Sequence, residues 1–178
     1  MLLALMVGVA LIALVLFGNF TPNPEREVFI QEIKYKGKDE YILLVNRGNQ
    51  GVDLSGWRLR SGAVTRNVAE QQFIFPEGCL LPAGGILKVH SGKAAKEALE
   101  EGKANPSCKA TIAANGRAEI DLYDGWENLL GAQLGPGREI WSDDGDTAEL
   151  INRRRNPIDK CAYTSEDVKR EINIHRCR

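Results

Sequence analysis

Little in this sequence invites an enzymatic reading. It holds only two histidines, and its four cysteines show none of the C-x-x-C spacing of zinc or redox sites. His90 lies within an apolar run and His175 in the last four residues, so neither a zinc site nor a Ser/His pair finds enough partners in sequence. Ser91-Gly92-Lys93 ends like a phosphate loop. It lacks the earlier glycine, because Leu87 stands there, and Ala94 replaces the Ser or Thr that should follow. The acidic run Ser142 to Asp146 lacks the alternating carboxylates and closing Glu of a calcium loop. Asp121 and Asp124 read as a solvated face rather than an acid/base pair. No metal and no cofactor is implied, and the chain reads as a non-enzyme.

Low-complexity tracts are also missing, and the formal net charge is -1, which is the composition of an ordinary globular domain. A folded part of about 140 residues buries roughly two thirds of its unfolded surface, so disulfides are not needed for stability. Leu2 to Gly18 is an unbroken apolar run of seventeen residues. That length sits at the lower edge of a membrane helix, roughly 17 to 25 residues, and exceeds a signal-peptide core of roughly 7 to 15. Residues 1–20 are therefore read as a membrane anchor or signal segment, and 21–26 as an extended linker around two prolines. Arg26, Lys34, Lys36 and Lys38 follow the run and none precedes it, which by a literal count keeps the domain in the cytoplasm. Three of those lysines fall inside the folded domain, so the count is weak. The reading adopted is a membrane-anchored domain outside the cytoplasm; secretion after cleavage and a cytoplasm-facing orientation are the alternatives.

Beyond the linker, short β-prone runs alternate with Gly, Pro, Asn and Asp. Val28–Tyr35, Tyr41–Asn46, Gly56–Arg60, Arg66–Phe75, Ile86–Ser91, Thr147–Asn152 and Ile158–Tyr163 predict about seven strands, which suit two packed antiparallel sheets. Tyr41, Leu43 and Val45 alternate with Ile42 and Leu44, so that strand is apolar on both faces and central in its sheet, and Tyr41, Leu43 and Val45 are assigned to the core. Phe73, Phe75, Leu87 and Val89 supply the facing layer. Trp57, after Leu54 in a Gly-bounded turn, closes the end of the core. Trp141 joins the predicted core.

Three blocks occur in one order: Tyr41–Leu59, carrying DLSGWRL; Phe73–Gly92, FIFPEGCLLPAGGILKVHSG; and Ile140–Leu150, IWSDDGDTAEL. In this the chain resembles the lamin tail domain family over roughly residues 28 to 163. The resemblance implies an immunoglobulin-like β-sandwich used for binding or scaffolding, with no catalytic residue to carry over. It also makes Gly145-Asp146 the turn entering a strand. The sandwich then spans 27–164 with an insertion at 93–139, followed by a tail at 165–178.

The insertion is the expected carrier of specificity, because loops set on a rigid frame are where binding concentrates. Lys93–Glu101 predicts a short exposed helix ended by Gly102, and Thr111–Ala113 with Arg117–Tyr123 a hairpin across a two-residue Asn115-Gly116 turn. Gly125–Gly137 reads as a loop holding Trp126. Tyr123 and Trp126 are the candidate binding residues, with anchoring of the loop as the other role open to Trp126. The tail predicts one or two helical turns capped at Ser165, with Val168 and Ile172 facing the sandwich.

Charge is segregated: residues 97 to 149 carry a formal -8 and residues 152 to 178 a formal +4. Arg153, Arg154 and Arg155, in the turn between the last two predicted strands, offer a phosphate-binding patch together with the basic tail. No aromatic interleaving accompanies them, so nucleic acid is the weaker of two partner readings. The stronger is a protein or envelope polymer engaged through the sandwich loops. Cys79, Cys108, Cys161 and Cys177 allow three disulfide connectivities. Bridges from Cys79 and Cys161 to the insertion and tail cysteines would secure the two least anchored segments.

Overall fold

Alternation along each strand decides which face is buried. In the computed structural model, which describes residues 23–62, 71–135, 137–170 and 173–177, β1 (Val28–Lys34) and β2 (Glu40–Asn46) pair antiparallel. β2 then pairs with β7 (Ile86–Ser91). Ile30, Ile33, Ile42, Leu44, Leu87 and Val89 from these strands are fully buried between the sheets. β4 (Arg58–Ser61), β5 (Gln71–Ile74), β11 (Gly145–Ile151) and β12 (Pro157–Thr164) build the opposing sheet with Leu59, Phe73, Ala148 and Leu150 inward. Trp57, Phe73 and Phe75 are among the largest fully buried side chains, and Leu54 and Trp141 lie in the same core. All seven predicted strands are present, packed as an immunoglobulin-like sandwich.

The strands that prediction missed, β3, β6, β10 and β13, are short, and the predicted hairpin of the insertion is present as β8 and β9. β3 (Val52–Asp53) and β6 (Leu80–Leu81) form a separate two-stranded ladder near Trp57. β8 (Thr111–Ile112) and β9 (Ala118–Leu122) extend the first sheet, giving the order β13-β1-β2-β7-β9-β8 once β13 (Ile174–Arg176) is added. β10 (Trp126–Asn128) pairs with β5 and starts the second sheet, whose order is β10-β5-β4-β11-β12.

Several expectations need correction. In β2 the inward residues are Ile42 and Leu44, whereas Leu43 and Val45 pack with Ile86, Phe29 and half-buried Tyr41 in a second apolar cluster on the outer face. A period of two splits the residues into two sets but does not say which set faces inward. Helix α1 (Gly92–Glu100) is not simply exposed, because Ala95 and Ala98 are buried. Its end is a Schellman motif: the Gly102 N–H donates to the Leu99 carbonyl and the Lys103 N–H to Ala98, with Gly102 at φ +77°. The β8–β9 turn holds three residues rather than two. The Ala113 N–H bonds the Arg117 carbonyl, and Gly116 takes the left-handed position at φ +78°. Trp126 sits in a strand and not in a loop, paired with Phe73.

At the tail, α2 (Ser165–Arg170) is capped one residue earlier than expected. Thr164 and Asp167 exchange backbone and side-chain hydrogen bonds of 2.8 to 3.4 Å, a reciprocal cap. Val168 packs against the core as expected. The tail then returns as β13, which pairs with β1 and is bounded by hydrogen bonds from Tyr35 to Asn173 and from Cys177 to Gln31. The expected anchor in residues 1–20, Ile172 and the first part of the Arg66–Phe75 strand lie outside the described residues. Among the described residues no helix is long and apolar enough to cross a membrane.

Two disulfides are present, Cys79–Cys108 and Cys161–Cys177. The first ties the turn before β6 to the insertion. The second joins β12 to the residue after β13, and so links the outermost strands of the two sheets on one long side.

Candidate functional site

The insertion reaches the sandwich through an unusual pairing. β9 runs parallel to β7, the one parallel pair of that sheet among the described residues, with Lys88 opposite Asp121 and Val89 opposite Leu122. A parallel neighbour needs a crossover, and α1 with the β8 hairpin provides it. This register places Asp121 and Tyr123 beside His90. The His90 ring, 7% exposed, contacts Asp39 Oδ1 through Nδ1 at 2.9 Å and Asp121 Oδ1 through Nε2 at 3.0 Å. Tyr123 stacks on it with centroids 4.5 Å apart, and Tyr41 tilts against it at 5.7 Å. Lys34 holds the other oxygen of Asp39 at 3.2 Å.

Burial works against a charged His90. The hydrogen bonds with Asp121 and Asp39 outweigh it and hold the ring's pKa above the ordinary histidine value. Burial likewise pushes against Asp39, but His90 and Lys34 draw its carboxyl below the usual range. The His90 hydrogen bond does the same for Asp121. Burial raises the Tyr123 phenol.

Next to this cluster stands a buried acid. Glu40 is 3% exposed and lies opposite Ser91 across the β2–β7 ladder. Its Oε2 accepts from Ser91 Oγ and from the Ile140 N–H, each at 3.0 Å, and the Trp141 N–H also bonds to the carboxylate. Every donor is neutral. Burial therefore pushes its pKa up to about 7.

Tyr123 borders two open clefts. One, of about 230 Å³, is mostly apolar, walled by Phe73, Ile74, Pro76, Pro106 and Leu122. The other, of about 310 Å³, is polar, walled by Asp39, His90, Glu97, Glu101 and Lys103. Trp126, 5% exposed, lies beneath. Its Nε1 donates to the His90 carbonyl at 2.9 Å, and its ring packs edge-on against Phe73 and Trp141. The structure thus puts Tyr123 at the surface of the site and Trp126 in its foundation.

Arg153, Arg154 and Arg155 occupy the tight turn between β11 and β12, all exposed. Arg153 pairs with Glu77 at 3.5 Å. They do not join the basic tail, because β12's eight residues lie between, roughly 25 Å of extended chain. Asp146 is buried and accepts from Ser61 Oγ at 2.9 Å, so it faces inward rather than toward a surface cation. Cys161, His175 and Cys177 bring one ligand-type atom each within 4.8 Å of one another. Both sulfurs are engaged in their disulfide, which leaves no thiolate for a metal.

Sequence reading missed Asp39, Glu40 and His90 as a group. The available signal was a carboxylate pair opening one strand and a His-Ser pair ending another. Antiparallel pairing of those two strands brings them side by side. The share of Asp121 depends on the parallel β9, for which the sequence carries no signal.

The profile of the Lamin Tail Domain family matches residues 21–165. No curated protein matches the chain. The matched span takes in the three sequence blocks, all seven predicted strands and the whole insertion, while β13 and most of α2 lie beyond it. With that match and a two-sheet sandwich, the chain belongs to the lamin tail domain family.

Proposed function

We propose that this domain is a non-enzymatic binding module that engages another macromolecule, a protein or an envelope polymer, through the insertion side of the sandwich. One observation carries the reading: Tyr123, on the rim between β9 and β10, borders both an apolar and a polar cleft while its ring is fixed from beneath by His90. A rigid aromatic that is apolar on one side and polar at its tip binds with little loss of freedom. Residues 1–20 tether the domain to a membrane, with the sandwich outside the cytoplasm. The two disulfides support that placement, since such bonds persist in oxidising compartments.

A photo-crosslinking amino acid placed at Tyr123, and for comparison at Arg154, tests the reading in intact cells. The expected result is a discrete adduct from position 123 and none from 154. An adduct from 154 alone, weakened steeply by salt, supports nucleic acid at the arginine turn instead. Sidedness is read by a membrane-impermeant maleimide. Labelling of intact cells only after reduction fits an outside domain; labelling only after lysis, without reductant, contradicts it.

A further inference from the structure

Two buried groups hold the middle of the insertion and the segment that closes it to one point on the frame. His90 connects the turn before β2, through Asp39, to β9, through Asp121. Glu40, the neighbour of Asp39, connects β2 to the segment that closes the insertion, through the Ile140 and Trp141 N–H groups. The two attachments respond to a proton in different ways: the His90 bridge requires one, whereas the Ile140 and Trp141 N–H groups bond Glu40 in either state and favour its carboxylate, and it is burial that disfavours the charge more strongly. A neutral imidazole has one N–H, so it cannot donate to two carboxylates; with both ring nitrogens on carboxylate oxygens, only the imidazolium satisfies both contacts. A buried carboxylate surrounded by neutral donors is an uncompensated charge, which the protonated acid is not.

We infer that protons on His90 and Glu40 latch the insertion to the frame, so that the Tyr123 cleft is tight in mild acid and loosens above neutrality. The inference concerns regulation of the site and rests on the reading that this cleft binds the partner. Other charged and titratable groups face the latch from each packed element. Around His90 these are Lys34 on β1, Tyr41 on β2, Lys88 on β7, Tyr123 after β9, and Glu97, Glu101 and Lys103 on and after α1. Around Glu40 they are Glu139 and Tyr163, with Asp143 and Asp146 behind the latter. Asp39 and Asp121 keep their charge below the ordinary carboxylate range, so they stay ionised while His90 and Glu40 titrate.

The signs agree. His90 has a raised pKa, so its contribution is complete below about 6.5 and disappears as pH rises through the folded value. Glu40 is raised from 4.5 to about 7, so its contribution is complete below 4.5 and is lost as pH climbs through about 7. Both favour the latched form in mild acid.

Hydrogen exchange of the full chain in mild detergent, at pH 5.5 and pH 8, tests the latch. Residues 118–126 and 138–142 are compared with β4 and β11 in the same molecule, which removes the intrinsic pH effect. The two segments should gain about tenfold relative protection at pH 5.5, the equivalent of one pKa unit. Glu40→Gln mimics the protonated acid and should flatten the response of 138–142; His90→Gln should remove that of 118–126. Equal relative protection at both pH values in the natural chain, or an unchanged response in Glu40→Gln, overturns the latch. If His90→Gln fails to fold, Glu40→Gln still decides the matter. A flat exchange profile with crosslinking at 123 intact defeats the latch alone, and a working latch without crosslinking defeats the binding reading alone.

Discussion

The two long sides of this sandwich are closed by different means. On one, the tail adds β13 beside β1, Cys161–Cys177 joins the outermost strands of the two sheets, and Tyr35 stacks on Tyr163 at 4.5 Å. The Ile30 N–H, at the β1 bulge, donates across to the buried Asp159 carboxylate at 2.9 Å. That side is sealed. On the other, the insertion contributes strands to both sheets and is stapled by Cys79–Cys108, yet the clefts around Tyr123 open there. Both sides solve the problem of exposed strand edges. The clefts around Tyr123 give the insertion side concave surface as well, and on the proposed reading this is the side that binds.

The harshest way to break this contrast is to remove Phe73, which supports Trp126 from the core and walls the apolar cleft. Phe73→Ala should cost about 3–5 kcal/mol in denaturant unfolding and abolish crosslinking at position 123. Cutting each staple should come next. The bridges close loops of 29 and 16 residues, so paired Cys→Ser changes should each cost about 3 kcal/mol. Their local effects should differ. Hydrogen exchange should rise in 104–113 and 118–126 without Cys79–Cys108, but in 173–177 and along β1 without Cys161–Cys177.

Glu40→Gln sharpens the comparison in the opposite direction. Because the acid is raised from 4.5 to about 7, the natural chain loses stability as pH rises through that interval, and the variant should be about 1–3 kcal/mol more stable at pH 8. Near pH 4.5 the two should unfold alike. Smallest of all, Arg154→Ala, in the exposed turn, should shift stability by less than about 0.5 kcal/mol and leave crosslinking at 123 unchanged.

What could be read from the chain follows from range. The seven principal strands are local period-two patterns of four to eight residues between turn formers, so they are legible. β3, β6, β10 and β13 pair over two or three residues and carry no pattern of their own. Trp126 looked like a loop residue because Gly125 precedes it and glycines follow; its partner Phe73 is far away in sequence. Tyr123 was legible as a candidate because it lies in an insertion among carboxylates. His90 was not, since its surroundings are set by register: β2 brings Asp39 and Glu40, and a parallel crossover brings Asp121. The cysteine pairing needed the fold, because only the strand order shows that Cys161 and Cys177 face each other across the sheet edges.

The central claim is that partners meet the insertion side and not the tail side. The most direct measurement places the photo-crosslinker in turn at Ala104 and Pro106, beside the apolar cleft, and at Lys160 and Arg176, on and beside the sealed edge. The account predicts the same adduct from both insertion-side positions and none from the tail side. Adducts from Lys160 or Arg176, with Ala104 and Pro106 silent, would contradict it.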